Sequence, residues 1–242
     1  MTLSNQNFNQ EASAYLKPRR KESFDRIIEI IKNNPPQTLL DIGCASGDFL
    51  FQLHQTLQNI QTVGIDKSSA LIKLAKKQLG KRSNPQFHRL DILSPKDRPL
   101  LSRLLRTQAE VITILGTLHT FHDFTPILQP LISNPSTKKI IIHSPFNPDP
   151  VNVRVFHQDI SSKNKDWQSG YNIFSQRTIS EFFTRHKIFK FKFIPFVMKK
   201  TLTKRQNYPM FNYHLIDKRG KKWLTNGAGL IFQEYLLVIN LR

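Results

Sequence analysis

The sequence predicts an α/β protein built on a mostly parallel sheet, and three observations carry that prediction. Apolar runs of strand length alternate with segments of helical period along most of the chain, the pattern that lays helices against parallel strands. Leu39-Leu40-Asp41-Ile42 runs into a tight turn with glycines at 43 and 47, and an amphipathic segment follows from Asp48 to about Leu57. Acidic residues, Asp41, Asp66 and Asp91, close the first three strands in succession.

The turn is built to hold a ligand. Glycine lets a ligand approach the backbone, and the helix that follows presents free N–H groups and the positive end of its dipole. A dinucleotide site would need Gly-x-Gly-x-x-Gly. Gly43, Ala45 and Asp48 stand at those three positions, and the Asp48 carboxylate would repel a pyrophosphate. Asp-Ile-Gly-Cys-Ala-Ser-Gly instead resembles motif I of the class I S-adenosylmethionine-dependent methyltransferases, an acid closing the strand and then Gly-x-Gly-x-Gly, with Ala45 in place of the middle glycine. Because alanine carries a Cβ, the backbone at Ala45 is expected to avoid positive φ. A plain strand-to-helix turn is the alternative.

The resemblance implies a three-layer αβα sandwich over residues 36–242. Its seven strands would run in the order 3-2-1-4-5-7-6 with the last antiparallel, and residues 1–35 would form a tail and cap helix. It implies S-adenosylmethionine as cofactor and S-adenosylhomocysteine as product. The implied cofactor contacts are Asp41, Gly43, Cys44, Ala45 and Gly47 in the turn, Asp66 and Lys67 after the second strand, Asp91 and Ile92 after the third, and Leu115 and Gly116 after the fourth. Tyr15, in Ser-Ala-Tyr-Leu-Lys-Pro-Arg-Arg, is similar to a tyrosine that caps the cofactor in many small-molecule members; a helix-packing aromatic is the other reading.

Composition bounds the rest. At 242 residues the chain is long enough for one large core or for a domain with an appendage. The single cysteine, Cys44, excludes an internal disulfide and a cysteine-rich zinc site, and no metal site is expected. No signal peptide or membrane-length apolar run is recognisable, so a cytoplasmic protein is expected. The net charge is +19, and from residue 163 onward 16 Lys and Arg face 4 Asp and Glu. Such a field attracts nucleic acid, sugar phosphates or an acidic membrane surface, although solvated lysine faces explain it equally.

In chain order, residues 11–32 read as an amphipathic helix with Phe24, Ile27, Ile28 and Ile31 on one face, stopped by Asn33-Asn34-Pro35-Pro36. Strands follow at Thr38–Ile42 and Gln61–Ile65. Asp66, about twenty residues past the glycines, is placed either to accept from both ribose hydroxyls or to cap the helix over Ser69–Leu79; Ser68 or Ser69 would cap equally well. Phe87–Ile92 reads as the third strand. By resemblance Asp91 would face the adenine amino group and Ile92 pack on the ring, with a plain turn as rival. A helix over Pro99–Arg106, a buried strand Val111–Leu115 and a helix over Phe121–Ile132 come next.

His119 is the candidate catalytic residue, with His122 and Asp123 nearby, because an imidazole near neutrality removes a proton from a hydroxyl nucleophile. After a fifth strand at Lys139–Ser144, residues 145–177 form an insertion rich in Pro, Asn, Asp and Ser. Its place after a strand's carboxyl end marks it as a substrate lid, with His157, Trp167, Tyr171 and Asn172 as candidate lining. A helix over Thr178–His186, a strand over Phe189–Val197 and a final strand at Tyr235–Asn240 complete the core. The basic, aromatic insertion at 198–234 suggests a hairpin turning at Asp217-Lys218-Arg219-Gly220.

A methyl transfer needs the acceptor held in line with the S–CH3 bond, and needs a base only for a hydroxyl or charged amine. The loop after the fourth strand lacks the Asn-Pro-Pro-Tyr-like residues of amine methyltransferases, and Cys44 inside the cofactor turn excludes a cysteine nucleophile. The acceptor expected is a small molecule, anionic or sugar-like. RNA is the second reading, from the basic C-terminal third, and a cofactor-binding protein without catalysis is the third.

Overall fold

A computed structural model describes residues 20–79, 84–160, 166–205 and 210–241. The first helix, α1 (Glu22–Lys32), packs its Phe24, Ile27, Ile28 and Ile31 stripe on α2 (Asp48–Thr56), with Phe24 edge-on to Phe49 at 5.3 Å. Buried Gln52 on α2 locks the start of α1, accepting from Lys21 N at 3.2 Å and donating to Asp25 at 2.7 Å. The helix read from residue 11 begins at Glu22 among the described residues, and Tyr15 lies outside them.

The sheet comprises β1 (Thr38–Ile42), β2 (Gln61–Asp66), β3 (Gln86–Arg89), β4 (Val111–Leu115), β5 (Lys139–Asn147), β9 (Phe191–Phe196) and β12 (Glu234–Asn240). Its order is β3-β2-β1-β4-β5-β12-β9, with β1 to β5 parallel and β12 antiparallel to both neighbours. This is the strand order expected. Between the strands lie α3 (Ser69–Leu79), α4 (Arg98–Gln108), α5 (Thr125–Ile132) and α6 (Gln176–Arg185).

Strand parity divides the core in two. One face carries Leu40, Ile42, Ile112, Ile114, Ile140, Ile142, Leu237 and Ile239 against α4, α5 and α6. The other carries Leu39, Val111, Ile141 and Leu236 against α1 and α2.

Four details differ from expectation. Strand β3 ends at Arg89, because Asp91 N donates to Asp97 at 2.8 Å and the chain turns there; Asp91 and Ile92 stand beyond the strand. Helix α5 starts at Thr125, whose N–H is taken by Asp123 at 2.8 Å, and not at Phe121. Strand β5 continues to Asn147, paired at its tip with β8 (Phe174–Ser175). The insertion thus returns to the sheet, and it also contains a small ribbon of β6 (Phe156–His157) with β7 (Gln168–Ser169). The second insertion holds the expected hairpin, β10 (Tyr213–Ile216) with β11 (Lys222–Thr225).

Candidate active site

The turn after β1 is an alternation of left-handed residues: Gly43 at φ 74°, Ala45 at φ 48° and Gly47 at φ 81°. The expectation that Ala45 would avoid positive φ is overturned. A left-handed alanine costs about 1 kcal/mol or more, and two bonds offset it: Ala45 N donates to Asp66 Oδ2 at 3.0 Å, and Gly47 N closes onto Cys44 O at 2.8 Å. Gly43 and Gly47 are required by packing as well as by φ. A Cβ on Gly43 would lie 2.1 Å from Thr117 Oγ1, and one on Gly47 would lie 2.5 Å from the Phe87 ring. Asp48 sits in the first turn of α2, where the dipole favours an acid, and Ser46 Oγ donates to it at 2.8 Å.

Asp66 joins the turn to β2. Besides Ala45 N, its carboxylate accepts Ser68 N at 2.8 Å, and burial raises its pKa. Ser68, with Oγ 3.3 Å from Leu71 N, caps α3, so that office does not fall to Asp66. Two carboxylate oxygens offer about four lone pairs, and two remain for a ligand's hydroxyls. Asp41 is fully buried beside it. Desolvation raises its carboxyl to about 7, against a 2.7 Å hydrogen bond from Thr113 on β4, with Asp66 adding repulsion. Burial likewise pushes the Cys44 thiol up, which leaves it an inert packing group.

Register extends this row across the sheet. Asp41 pairs with Thr113, Leu115 with His143, and His143 with Leu236, so Asp41, Thr113, His143 and Glu234 share the face toward α1. His143 Nε2 lies 3.4 Å from Glu234 Oε2, and Phe196 stands edge-on to the imidazole at 5.2 Å. Asn212 Nδ2 donates to the other carboxylate oxygen at 3.2 Å. Burial raises the Glu234 carboxyl, and the His143 and His119 rings more than offset it, leaving its pKa below the usual value. Neither His143 nor Glu234 stands out in the sequence. They lie some ninety residues apart, and only the antiparallel register of β12 on β5 joins them.

His119 stands on a 3-10 turn, Leu118–Thr120, after β4. Its ring stacks on Tyr171 at 4.8 Å, and its Nδ1 is buried with no hydrogen-bond partner among the described residues. Desolvation lowers its pKa to about 4, partly countered by Glu234. The structure therefore brings His119, Tyr171, His143 and Glu234 to one place and leaves His122 aside, stacked on Phe156 at 5.1 Å. Of the other insertion residues, Trp167 is exposed and His157 half-buried in the ribbon. Asn172 is fully buried and serves as a pin: its amide donates to Phe121 O at 3.0 Å, its N to His119 O at 2.9 Å, and its Oδ1 accepts Val155 N at 3.0 Å. No group of side chains among the described residues is arranged to hold a metal ion.

A family model described as a methyltransferase domain matches residues 33–214, three-quarters of the chain. The chain belongs to this methyltransferase family. The class I reading of motif I is thereby borne out, and with it S-adenosylmethionine as the methyl donor. Curated relatives include carboxy-S-adenosyl-L-methionine synthases of Helicobacter pylori (strain Shi470), 38% identical over 61 residues, and of Nautilia profundicola, 38% over 61. These matches cover about a quarter of this methyltransferase and 26% of each relative. The fold is shared with the methyltransferase domain of bacterial CtHen1-C, at a TM-score of 0.53 and 12% identity over 97% of this chain and 100% of that one. It is shared also with YcgJ of Bacillus subtilis, at 0.53 and 11% over 89% and 96%. Magnesium protoporphyrin IX methyltransferase of Synechocystis PCC 6803, solved with S-adenosylhomocysteine bound, superposes at 0.51 and 12% over 98% and 94%.

The residues at the turn suit such a donor. Two buried carboxylates, Asp41 and Asp66, in a chain of net charge +19 are costly without a cation beside them, and the donor carries a sulfonium and an ammonium. Gly116, at φ 68°, faces open space, since a Cβ there would meet nothing within 4 Å.

Proposed function

We propose that this methyltransferase acts on a small hydroxyl-bearing acceptor held between the His119–Tyr171 stack and the His143–Glu234 pair. The observation that carries this is burial: Glu234 and Thr113 are nearly or fully closed to solvent, and the insertion is pinned over His119 by Asn172. A site so enclosed admits a small molecule more readily than a polynucleotide strand.

In this reading the Gly43–Gly47 turn, with Asp41, Cys44 and Ala45, holds the methionine end of the donor, and Asp66 with Lys67 the ribose. Asp91 and Ile92 border the adenine, and Leu115 and Gly116 border the reacting sulfur. The donor supplies an electrophilic methyl. The protein aligns the acceptor, excludes water and receives one proton. His119 is the acceptor of that proton: desolvation keeps it neutral, so Nδ1 is available while the new C–O bond forms. Glu234, ionised beside the rings, stabilises the imidazolium that results. A cytoplasmic setting accords with the free, buried Cys44.

Labelled-methyl transfer from S-adenosylmethionine into cell extract, separated into metabolites, RNA and protein, tests the acceptor. Label in the metabolite fraction supports the proposal, and label confined to RNA overturns it. Calorimetry tests the donor contacts: Asp66→Ala should weaken donor binding by about tenfold or more, the loss of a hydrogen bond to a charged group. An unchanged affinity would remove Asp66 from the ribose site.

A further inference from the structure

The hairpin β10–β11 carries a surface that methyl transfer does not use. Among the described residues its two strands pair with no other named strand, and Leu215 faces Trp223 across them on one side of the ribbon. Leu215 is 47% exposed, Ile216 58% and Trp223 36%, and Ile231, beside the end of β11, is 58% exposed. Lys218, Arg219, Lys221 and Lys222 follow at the turn between the two strands. The one acid of the turn, Asp217, is exposed but engaged within the hairpin, accepting from Trp223 Nε1 at 3.1 Å, Arg219 N at 2.9 Å and Lys221 N at 3.0 Å. One face of the ribbon therefore carries Leu215 and Trp223, with Ile231 past the end of β11, while Ile216 lies on the other face; Lys218, Arg219 and Lys221 stand at the tip and Lys222 Nζ donates to Lys199 O at 2.8 Å.

We propose that this hairpin is an interfacial anchor that seats the protein on an anionic lipid bilayer. The apolar members decide between lipid and nucleic acid. Leu215, Ile216 and Ile231 have no π face on which a base could stack, and the Trp223 ring is already covered by Lys221 Nζ at 3.8 Å. Aliphatic groups next to Lys and Arg match the other environment, with side chains in the acyl boundary, an indole at headgroup depth and cations among the phosphates. The base of the hairpin adjoins the active site, through Asn212 to Glu234 and through Phe232 N to Leu224 O at 3.1 Å. Docking would thus bring the active site close to the bilayer surface. No described helix is long and apolar enough to cross a membrane, so the contact is peripheral.

The test uses the full chain carrying Trp167→Phe, which leaves Trp223 as the reporter of the chain's two tryptophans. On mixed phosphatidylcholine–phosphatidylglycerol vesicles the protein should sediment about tenfold or more better than on phosphatidylcholine alone. Trp223 emission should shift to the blue and be quenched by brominated acyl chains. Leu215→Ser with Ile231→Ser, both at exposed positions on the Trp223 face, should abolish the quenching and leave the fold intact by circular dichroism. Absence of vesicle binding overturns the proposal, and so does binding without quenching, which is attraction by charge alone. Quenching of Trp223 by polyuridylate in place of vesicles, or by self-association without lipid, overturns it also.

Discussion

Asp41, proposed to hold the donor, is the residue of the turn whose energetics depend most on pH. Its carboxyl titrates near 7 in the folded protein and near 3.8 in the unfolded chain. Between those values the folded state keeps a proton that the unfolded state has lost, so this group's contribution to stability falls as pH rises from about 4 to about 7. Asp41→Asn retains an oxygen for Thr113 and removes the titration. Denaturant titrations should show the wild type losing up to about 4 kcal/mol relative to the variant across that interval. Donor affinity should move the other way, rising through pH 7 in the wild type as the carboxylate ionises to meet a cation. His119 gives an independent expectation: with its pKa lowered to about 4, it stays neutral across the physiological range. The rate profile should then show no break near 6.5, and His119→Ala should lower kcat by about a hundredfold or more with little change in donor affinity.

At the scale of elements, the insertion after β5 is held by one buried side chain, Asn172, as well as by its own ribbons. Asn172→Ala would strip partners from Phe121 O and Val155 N. We expect a loss of about 3 kcal/mol, together with faster hydrogen exchange over residues 153–175, readable by mass spectrometry. The turn proposed for the donor was legible as structure because it is local: strand, turn, helix and acid lie within a thirty-residue stretch, and each has a period or spacing that chain order displays. Ala45 was misjudged for a physical reason. Its residue type argues against positive φ, and the bond to Asp66 that compensates comes from another strand. The pair proposed to face the acceptor was less legible, since His143 and Glu234 meet only through a register between strands ninety residues apart. Parity supplies a signal that was present: His143 lies two residues from Ile141, and Glu234 two from Leu236, on the face that packs against α1.

At the scale of the whole molecule, α1 and the second insertion are tied together, Glu22 accepting both Lys199 N at 2.7 Å and Lys200 N at 2.8 Å. Those bonds hold the Glu22 carboxyl below the usual carboxylate range, although the residue is largely solvated. Glu22→Gln should leave the melting temperature nearly unchanged and expose the segment near 199–200 to trypsin, because screening keeps the energetic effect small. Strand β12 has the opposite character. It lies between β5 and β9 and pairs with both along almost its whole length. Deleting residues 234–242 should yield insoluble protein, with the edges of two strands left open. During translation, then, β5 and β9 leave the ribosome without their common neighbour, and their part of the sheet is joined only when β12 emerges. Glu234 arrives on that same strand. The nascent chain can close the Gly43–Gly47 turn early, but the His143–Glu234 pair cannot form until β12 has emerged.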